Sequence, residues 1–333
     1  MRDAPLPAAA IELLDLLDTP SLLLRESRIV HANPPAVALF GGHVQGQDVR
    51  LALRHPDVLA LITSGRNGSV RVTGLSTSGS LWEVQCNGLS DGERFLTLTD
   101  LSVQASVARA HADFVANASH ELRTPLAAIL GYVETLSDPK AGNDPATRNR
   151  FLGIIGKEAQ RMQGLVEDLM SLSRIEAVKH QQPTEMVDLL AIARLCIGEV
   201  AEPDRITLSS NVDEAPVMGD QGQLAQVIRN LIENASKYGA PEGQIRISLE
   251  KGQTGWVSLS VADEGEGIAP EHMPRLTERF YRADPARSRQ AGGTGLGLSI
   301  VKHIVERHRG RFDITSQPGQ GTTASLILPL LTR

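Results

Sequence analysis

The chain has 333 residues, of which 41% are hydrophobic, 22% are charged and only 3% are aromatic, and its net charge is −6. This length predicts two or three domains whose cores consist mainly of aliphatic side chains. The negative charge argues against nucleic acid as the main partner, because phosphate backbones bind basic surfaces. Cys86 and Cys196 stand far apart and fit no metal or redox spacing, so we expect two small core residues.

The sequence contains no uninterrupted apolar segment of about 18 residues, the length that a membrane-spanning helix requires. The longest candidate, residues 186–200, is interrupted by Asp188 and Arg194, and the N-terminus lacks the pattern of a secretory signal. We therefore expect a cytoplasmic chain without a membrane span of its own. A fragment of a membrane-anchored protein would show the same features.

The first 100 residues alternate short apolar runs with turn residues, a pattern typical of a mixed α/β module. The string RIVHANPPAVALFG and the exit LTDLS at 98–102 resemble a PAS sensor domain. We expect Asn33-Pro34-Pro35 to interrupt this strand pattern. The predicted elements are strands at 21–24 and 28–31, a short helix at 36–40, and paired strands at 81–85 and 94–99.

The ligand of this PAS-like domain is not readable from its residues. A flavin photosensor needs a cysteine within an Asn-Cys-Arg-Phe-Leu string, whereas Cys86 lies in EVQCNGL, so the flavin hypothesis is rejected. His31, His43 and His55 are candidate haem ligands, but surface or turn positions are the favoured interpretation. A domain that binds nothing and only transmits or dimerises remains an alternative.

From Leu101 the apolar period becomes helical, and the pattern predicts two helices, to about Ser137 and from Pro145 to about Ala177. Asp144 is a suitable N-cap for the second helix. Its apolar residues repeat every seven positions, a stripe that one hairpin cannot cover, which favours a four-helix bundle in a symmetric dimer. Ordinary core packing within one chain is the alternative. The repeating residues are Ile155, Met162 and Leu169, with Leu165 and Leu172 beside them.

The remainder of the chain is predicted to be an α/β sandwich. A helix over 220–237 has one buried stripe and a second stripe of Asn230, Asn234 and Lys237. Those three residues suit a solvated face, but amide oxygens also bind Mg²⁺ and an ammonium binds phosphate. The predicted strands are 206–209, 245–249, 257–261, 312–315 and 325–328, and the buried stripe is Leu224, Val227, Ile228, Leu231 and Ala235.

Two glycine-rich segments follow. Asp263 comes at the end of a strand and precedes Gly265 and Gly267, so its carboxylate is positioned to accept a hydrogen bond from an exocyclic amine. Residues 292–298, GGTGLGL, open a helix that runs to about His308, with Gly310 as its predicted C-terminal stop. The free backbone N–H groups at the start of this helix suit phosphate. This glycine segment is neither the Walker pattern nor the dinucleotide fingerprint. The arginine-rich residues 278–290 between the two segments are predicted to form a lid.

His120 stands beside Glu121 in HELRTPL. Alone, this pair is either a nucleophile with its base or part of a polar helix face. In order, however, the chain carries HELRTPL, NLIENASKYG, DEGEGI, ERFYR, GGTGLGLSIVK and PGQGT, which resemble the H, N, G1, F and G2 boxes of sensor histidine kinases, with the glycine turn before the last strand. Within that family the sequence around the lid is most similar to phosphate-regulon kinases of the PhoR type.

The resemblance implies a multidomain α+β protein. We expect a PAS-like sensor domain at 1–100, a dimerisation and histidine-phosphotransfer hairpin at 101–180 that forms a four-helix bundle in the dimer, and a Bergerat-type ATP-binding domain at 185–333. The implied cofactors are ATP and Mg²⁺. The implied partners are a second copy and the receiver domain of a response regulator, and the chain could be a fragment of a membrane-anchored kinase.

The resemblance also implies site residues. His120 matches the phosphoacceptor, Glu121 its base, and Thr124 the threonine that marks phosphatase activity in this family. Asn234 matches the Mg²⁺ ligand and Asp263 the residue that reads adenine. The other nucleotide-binding positions are Asn230, Lys237, Tyr238, Gly265, Gly267, Ile268, Arg282, Arg287, Gly293, Thr294, Gly295, Leu296, Gly297 and Leu298.

The implied function is a sensor histidine kinase that phosphorylates His120 from ATP, transfers the phosphoryl group to an aspartate of its regulator, and dephosphorylates that regulator. Two alternatives remain. One is an ATP-hydrolysing relative, which would carry a catalytic glutamate at the position of Asn230. The other is a non-catalytic dimeric scaffold.

Overall fold

The chain divides into two compact units, Met1–Val115 and Ala116–Arg333, with the boundary inside one long helix. Each unit is described by itself. Among the residues described, no helix combines the length and the apolar character needed to cross a lipid bilayer. The structure is a computed structural model, and it describes residues 8–89, 92–138, 144–178, 180–200, 202–252, 255–284 and 292–331.

The first unit is a five-stranded antiparallel sheet in the order β2-β1-β5-β4-β3, with short helices around it. The two predicted strand pairs, β1 with β2 and β4 with β5, are confirmed. The elements are α1 (Ala8–Asp15), β1 (Ser21–Arg25), β2 (Arg28–Ala32), α2 (Pro34–Phe40), α3 (Val49–Ala52), α4 (Pro56–Thr63), β3 (Gly68–Thr73), β4 (Leu81–Gly88) and β5 (Glu93–Asp100).

Asn33 organises the start of this unit, and the predicted interruption of the strand pattern at Asn33-Pro34-Pro35 is confirmed, because β2 ends at Ala32. The helix that follows starts two residues earlier than predicted. The helix begins at Pro34, because a proline in the first turn loses no hydrogen bond and has a suitable φ. The fully buried Asn33 side chain accepts hydrogen bonds from the backbone N–H groups of Ala36 (3.1 Å) and Ser21 (2.8 Å). Its Nδ2 also donates to the Thr19 carbonyl at 2.9 Å.

The histidines of this unit differ in their surroundings. The expectation of a surface or turn position is wrong for His31, which lies on β2, is only 9% exposed, and has its Nε2 2.8 Å from Asp15 Oδ1. His43 is exposed, and His55 is the N-cap of α4. Cys86 is fully buried on β4, and burial raises the pKa of its thiol, as expected of a small core residue.

The second unit begins with a helical hairpin made of α5 (Ser102–Ser137) and α6 (Pro145–Ala177). The Asp144 carboxylate accepts from the Thr147 N–H at 3.0 Å, which confirms the predicted N-cap. The connecting residues 139–143 lie outside the described residues. The rings of Tyr132 and Phe151 pack with their centroids 5.0 Å apart and join the two helices.

The rest of this unit is a five-stranded sheet covered by helices. Its order is β11-β12-β10-β9-β7; β7 and β9 are parallel, whereas the other neighbours are antiparallel. All five predicted strands are present. The elements are β6 (Met186–Asp188), α7 (Leu189–Gly198), β7 (Ile206–Ser210), β8 (Pro216–Met218), α8 (Gln221–Tyr238), β9 (Ile245–Lys251), β10 (Trp256–Asp263), α9 (Gly297–Arg307), β11 (Arg311–Gln317) and β12 (Gly321–Pro329).

Helices α7, α8 and α9 form the second layer, and α9 also contacts α6 of the hairpin. The predicted apolar stripe of α8 is buried, together with Ile232. The short sheet formed by β6 and β8 was not predicted, because each strand has only three residues. The apolar stripe of α8 thus packs against the core, and its polar stripe of Asn230, Asn234 and Lys237 faces the cavity described below.

The end of α9 differs from the prediction. The residue with left-handed backbone is Arg309 (φ 56°), not the predicted stop Gly310. Gly310 is instead required for close packing, because a Cβ there would lie 2.5 Å from the Ile327 carbonyl oxygen.

Candidate nucleotide and phosphoacceptor site

A cavity of about 690 Å³ lies between α8, the end of β10, the segment before α9, and one face of α6. This volume is within the range of small-molecule sites. Of the predicted nucleotide-binding residues, the lining contains Asn230, Asn234, Lys237, Tyr238, Asp263, Gly267, Ile268, Arg282, Gly293, Thr294, Gly295, Gly297 and Leu298. Gly265 and Leu296 are adjacent to the cavity without lining it, and Arg287 lies outside the described residues.

The polar stripe of α8 forms one wall of the cavity. Asn230 Nδ2 donates to the Gly297 carbonyl at 3.2 Å and so joins α8 to the start of α9. Lys237 Nζ lies 2.6 Å from Glu233 Oε1, one turn earlier. Asn234 Nδ2 is buried and has no hydrogen-bond partner among the described residues. An unsatisfied buried amide is costly, so this position suits a ligand rich in oxygen atoms.

Asp263 lies at the last position of β10. Its Oδ1 accepts a hydrogen bond from the Gly265 N–H at 2.8 Å. Burial raises the pKa of the Asp263 carboxyl, although the N–H groups of Gly265 and Thr322 lower it in part. A partly desolvated carboxylate that lines a cavity has a strong preference for a ligand N–H donor.

Two glycines have a backbone that other residues would strain. Gly267 has φ +70°, and a Cβ there would lie 2.0 Å from the Gln317 carbonyl oxygen. Gly295 has φ +74°, and its Cβ would lie 2.9 Å from the backbone of Phe280. The Phe280 N–H also donates to the Gly295 carbonyl at 2.8 Å. These two approaches fix the loops at opposite ends of the cavity.

Thr294 connects the glycine segment to the hairpin. Its Oγ1 accepts from the Leu296 N–H at 3.2 Å and donates to Asp168 Oδ2, on α6, at 2.7 Å. The helix α9 starts three residues later, at Gly297. The end of the cavity near Thr294 therefore combines a glycine-rich backbone with the positive end of a helix dipole.

Arg282 belongs to the predicted lid and pairs with the predicted base Glu121, whereas residues 285–290 of that segment lie outside the described residues. Its Nη2 lies 2.8 Å from Glu121 Oε2, and the Arg161 Nη2 lies 3.3 Å from the same oxygen. The Arg282 side chain is 8% exposed, and its Nε is buried without a hydrogen-bond acceptor among the described residues. Arg282 thus lines the cavity and pairs with Glu121 at the same time.

His120 and Thr124 lie on α5 and are exposed. The Thr124 Oγ1 donates to the His120 carbonyl oxygen at 3.2 Å, so the two residues are one turn apart on the same side of the helix. Neither residue lines the cavity. An exposed imidazole on a helix is accessible to a partner surface.

Helix α6 also contributes to the cavity, which was not predicted. Arg161, Gly164 and Asp168 line it from one face of that helix, although the sequence was interpreted only for its apolar repeat. Their spacing of three and four residues is a detectable polar stripe. What that stripe contacts depends on the tertiary structure.

Two protein families match the chain. The His Kinase A (phospho-acceptor) domain matches residues 110–178, and the histidine kinase-, DNA gyrase B-, and HSP90-like ATPase matches residues 219–332. Among solved structures, the histidine kinase ThkA, in complex with the response regulator protein TrrA, aligns over 96% of this chain and 98% of its own with a TM-score of 0.54. Its identity of 19% makes this a likeness of fold alone.

Curated relatives extend the match. The phosphate regulon sensor protein PhoR of Pseudomonas aeruginosa is 41% identical over 237 residues, which are 69% of this chain and 53% of that protein. The sensor-like histidine kinase SenX3 of Mycolicibacterium smegmatis is 34% identical over 291 residues, which are 85% of this chain and 71% of that protein. The chain thus spans about half of PhoR and a larger part of SenX3. On these matches, the chain belongs to the family of sensor histidine kinases.

Proposed function

We propose that this chain is an ATP-dependent protein kinase that phosphorylates its own His120. The observation that carries the proposal is the cavity in which the unsatisfied Asn234 amide, the desolvated Asp263 carboxyl and the glycine segment before α9 occur together. Asp263 would accept a hydrogen bond from the exocyclic amine of adenine. The glycine segment would bind phosphate oxygens through its backbone N–H groups.

The residues also fit a magnesium nucleotide. Asn234 would contribute its amide oxygen to Mg²⁺, which commonly takes one or two protein ligands and completes its shell with phosphate oxygens and water. The metal, when bound, would neutralise charge on the phosphates. Lys237, paired with Glu233 at 2.6 Å, would exchange that partner for a phosphate oxygen.

In the proposed reaction one ring nitrogen of His120 attacks the γ-phosphorus of ATP, the bond between that phosphorus and the bridging oxygen breaks, and ADP leaves. Glu121 accepts the proton from the other ring nitrogen. Its Oε2 is held by Arg282 and Arg161 in this arrangement. These contacts must loosen before Glu121 reaches the imidazole proton, so we propose that the kinase step requires Arg282 and Arg161 to release Glu121.

The test is incubation of the full chain with γ-labelled ATP and Mg²⁺. We expect an acid-labile label that disappears in His120→Gln and persists in His111→Gln, a matched control because His111 is also an exposed histidine of α5. Release of free phosphate without labelled protein would instead favour the ATP-hydrolysing alternative. A chain that neither binds ATP nor becomes labelled would support the scaffold.

We further propose transfer of the phosphoryl group to an aspartate of a receiver domain, and the reverse control by dephosphorylation. The exposed side of α5 that carries both His120 and Thr124 supports this, since a partner aspartate would reach either residue. The solved relative ThkA was captured with a response regulator. Thr124→Ala should keep autophosphorylation and lose phosphatase activity toward the regulator, whereas Thr124→Ser, which keeps the hydroxyl, should retain both.

We also propose that the chain acts as a homodimer through the hairpin. Large apolar side chains are exposed on α5 at Leu126 (46%), Leu130 (60%) and Val133 (47%), at helical spacing. Helix α6 exposes Val166 and Met170. A second copy that covers these residues would form the four-helix bundle.

A further inference from the structure

One face of the hairpin helix α6 lines the cavity near Thr294, at the end where the phosphates are proposed to bind, which we call the phosphate end. Asp168 lines the cavity, and its Oδ2 accepts a hydrogen bond from Thr294 Oγ1 at 2.7 Å. Thr294 belongs to the glycine segment that precedes α9, where the free backbone N–H groups and the helix dipole attract an anion. In this arrangement the Asp168 carboxyl, hydrogen-bonded to the Thr294 hydroxyl, already lies beside that region.

Asp168 lies near two acidic side chains, Glu233 and Glu167, and one basic side chain, Lys237. Burial raises the pKa of the Asp168 carboxyl; Glu233 and Glu167 raise it further, against the lowering effects of the Thr294 hydroxyl and Lys237. Lys237 is shared with Glu233, whose Oε1 lies 2.6 Å from its Nζ. A nucleotide triphosphate would therefore bring further negative charge to a part of the cavity that Asp168, Glu167 and Glu233 already line.

The contact between Thr294 and Asp168 is one of several that hold the two parts of this unit together. Ser171 on α6 donates to Gln226 Oε1 on α8 at 2.8 Å. Glu176, near the end of α6, pairs with Arg279 in the segment before α9. Three side-chain contacts therefore hold α6 against the rest of the unit, and the contact of Asp168 is the one at the glycine segment before α9.

We propose that Asp168 is a phosphate competitor contributed by the hairpin: while α6 is seated on the cavity its carboxylate occupies the phosphate end, and a triphosphate binds tightly only after the Thr294–Asp168 contact opens. This rests on the proposed nucleotide site. It couples triphosphate binding to release of the hairpin. The coupling acts on the phosphates and leaves recognition of adenine at Asp263 unaffected.

The test measures the affinity of the full chain for a nonhydrolysable ATP analogue and for adenosine, each in the presence of Mg²⁺. Asp168→Asn keeps an acceptor for Thr294 but removes the charge. We expect it to tighten binding of the triphosphate about tenfold, an ordinary size for coupling between two contacts, and to leave adenosine affinity unchanged. The comparison variant is Glu167→Gln, because Glu167 is the adjacent carboxylate and also lines the cavity, but it is exposed and hydrogen-bonded to Gln163 rather than to Thr294. We expect it to change triphosphate affinity less than about twofold, since exposed charges are screened.

Three results would overturn the inference. Weaker triphosphate binding in Asp168→Asn would make Asp168 a supporting ligand for the metal. Equal gains in Asp168→Asn and Glu167→Gln would show a general charge effect, and unchanged affinity would show no competition. A wild-type chain that binds neither ligand contradicts the proposed nucleotide site itself, which is a different failure.

A second experiment uses a cross-link to hold α6 against α8. Ser171→Cys with Gln226→Cys places two thiols across the contact, and the native Cys86 and Cys196 are buried. A short bis-maleimide link should lower the affinity for the triphosphate and leave the affinity for adenosine unchanged. Adding Asp168→Asn to the linked protein should restore the affinity for the triphosphate. A linked protein that binds the triphosphate as tightly as the unlinked one would contradict the proposal.

Discussion

Asp263, the proposed acceptor for the exocyclic amine of adenine, is a residue whose burial opposes folding when it is charged. Burial holds the pKa of its carboxyl above the ordinary value. A raised pKa means that the folded protein favours the protonated form, so the stability contribution is complete below the unfolded-state pKa and is lost as pH rises through the folded-state pKa. At neutral pH the charged Asp263 is therefore a cost to folding.

The first prediction is that Asp263→Asn leaves the melting temperature unchanged or raises it, while nucleotide affinity falls about tenfold or more because a hydrogen bond to a charged acceptor is lost. The amide oxygen still accepts from the Gly265 N–H. Thermal unfolding and a nucleotide titration check the two effects together. A melting temperature that falls in step with affinity would indicate structural damage in place of lost recognition.

His308 is held neutral by its two hydrogen bonds. Its Nε2 accepts from the Asp220 N–H at 3.0 Å, so the proton is on Nδ1, which donates to the Ile304 carbonyl at 2.7 Å. Burial lowers the pKa of His308, and Arg307 lowers it further, although the Ile304 carbonyl and the Asp220 carboxylate oppose this. The lowered pKa means that the unfolded chain binds a proton at a pH where the folded chain does not.

The second prediction is therefore a loss of stability on acidification, which begins near the unfolded pKa of about 6.5 and continues down to the folded pKa of His308. Urea unfolding at about pH 7.5 and about pH 5.5 measures it. The chain has two tryptophans, so a Trp82→Phe background leaves Trp256 as the reporter for the unit that contains His308. His308→Gln should reduce the pH dependence; an equal slope in both proteins would contradict the assignment.

At the scale of elements, the hairpin helices have more apolar surface than the chain covers. Leu165, Leu172 and Ile175 of α6 are buried, whereas Leu130 and Met170 remain more than half exposed. An exposed apolar stripe on a helix indicates an interface.

The third prediction is that Leu130→Glu converts a dimer into a monomer, because burying an unpaired carboxylate at a helix interface is unfavourable. Sedimentation velocity measures the state. Leu51→Glu is a matched control, because Leu51 is 58% exposed but lies on α3 in the other unit. A wild-type monomer, or a dimer that survives Leu130→Glu, would rule out the bundle through this stripe.

At the scale of the second unit as a whole, ion pairs join the segment before α9, which borders the cavity, to the hairpin. Glu176 and Arg279 form an ion pair whose side chains are 38% and 26% exposed, so solvent screening makes it weak. This ion pair lies away from the phosphate end, so changing it tests the packing of α6 against the cavity without altering Asp168.

The fourth prediction is that Glu176→Arg weakens the packing of α6 against the cavity and raises affinity for the nonhydrolysable ATP analogue. We expect an increase of about threefold, the size typical of a partly exposed ion pair. The double change Glu176→Arg with Arg279→Glu should return the affinity to the wild-type value. The same titration measures all three proteins. If the double change fails to restore the affinity, the ion pair is not the cause of the gain.

Most of the secondary structure followed from local pattern. The five strands of the second sheet and the apolar stripe of α8 have clear periods, and Asp144 and Asp220 are the N-caps of α6 and α8. The errors fell where a local rule is ambiguous. The start of α2 was predicted two residues late, because prolines that end a strand also suit the first turn of a helix. Arg309 took the left-handed position expected of Gly310.

The sequence by itself determined the chemistry of this protein: a histidine beside a carboxylate, an asparagine helix, and glycine turns in the order of a sensor histidine kinase. Those features are local, so residue types and spacing suffice to find them. Only the tertiary structure decided which distant groups meet: Arg282 with Glu121, and Thr294 with Asp168. Such contacts join residues more than 100 positions apart, and they depend on how α6 packs, which no local pattern specifies.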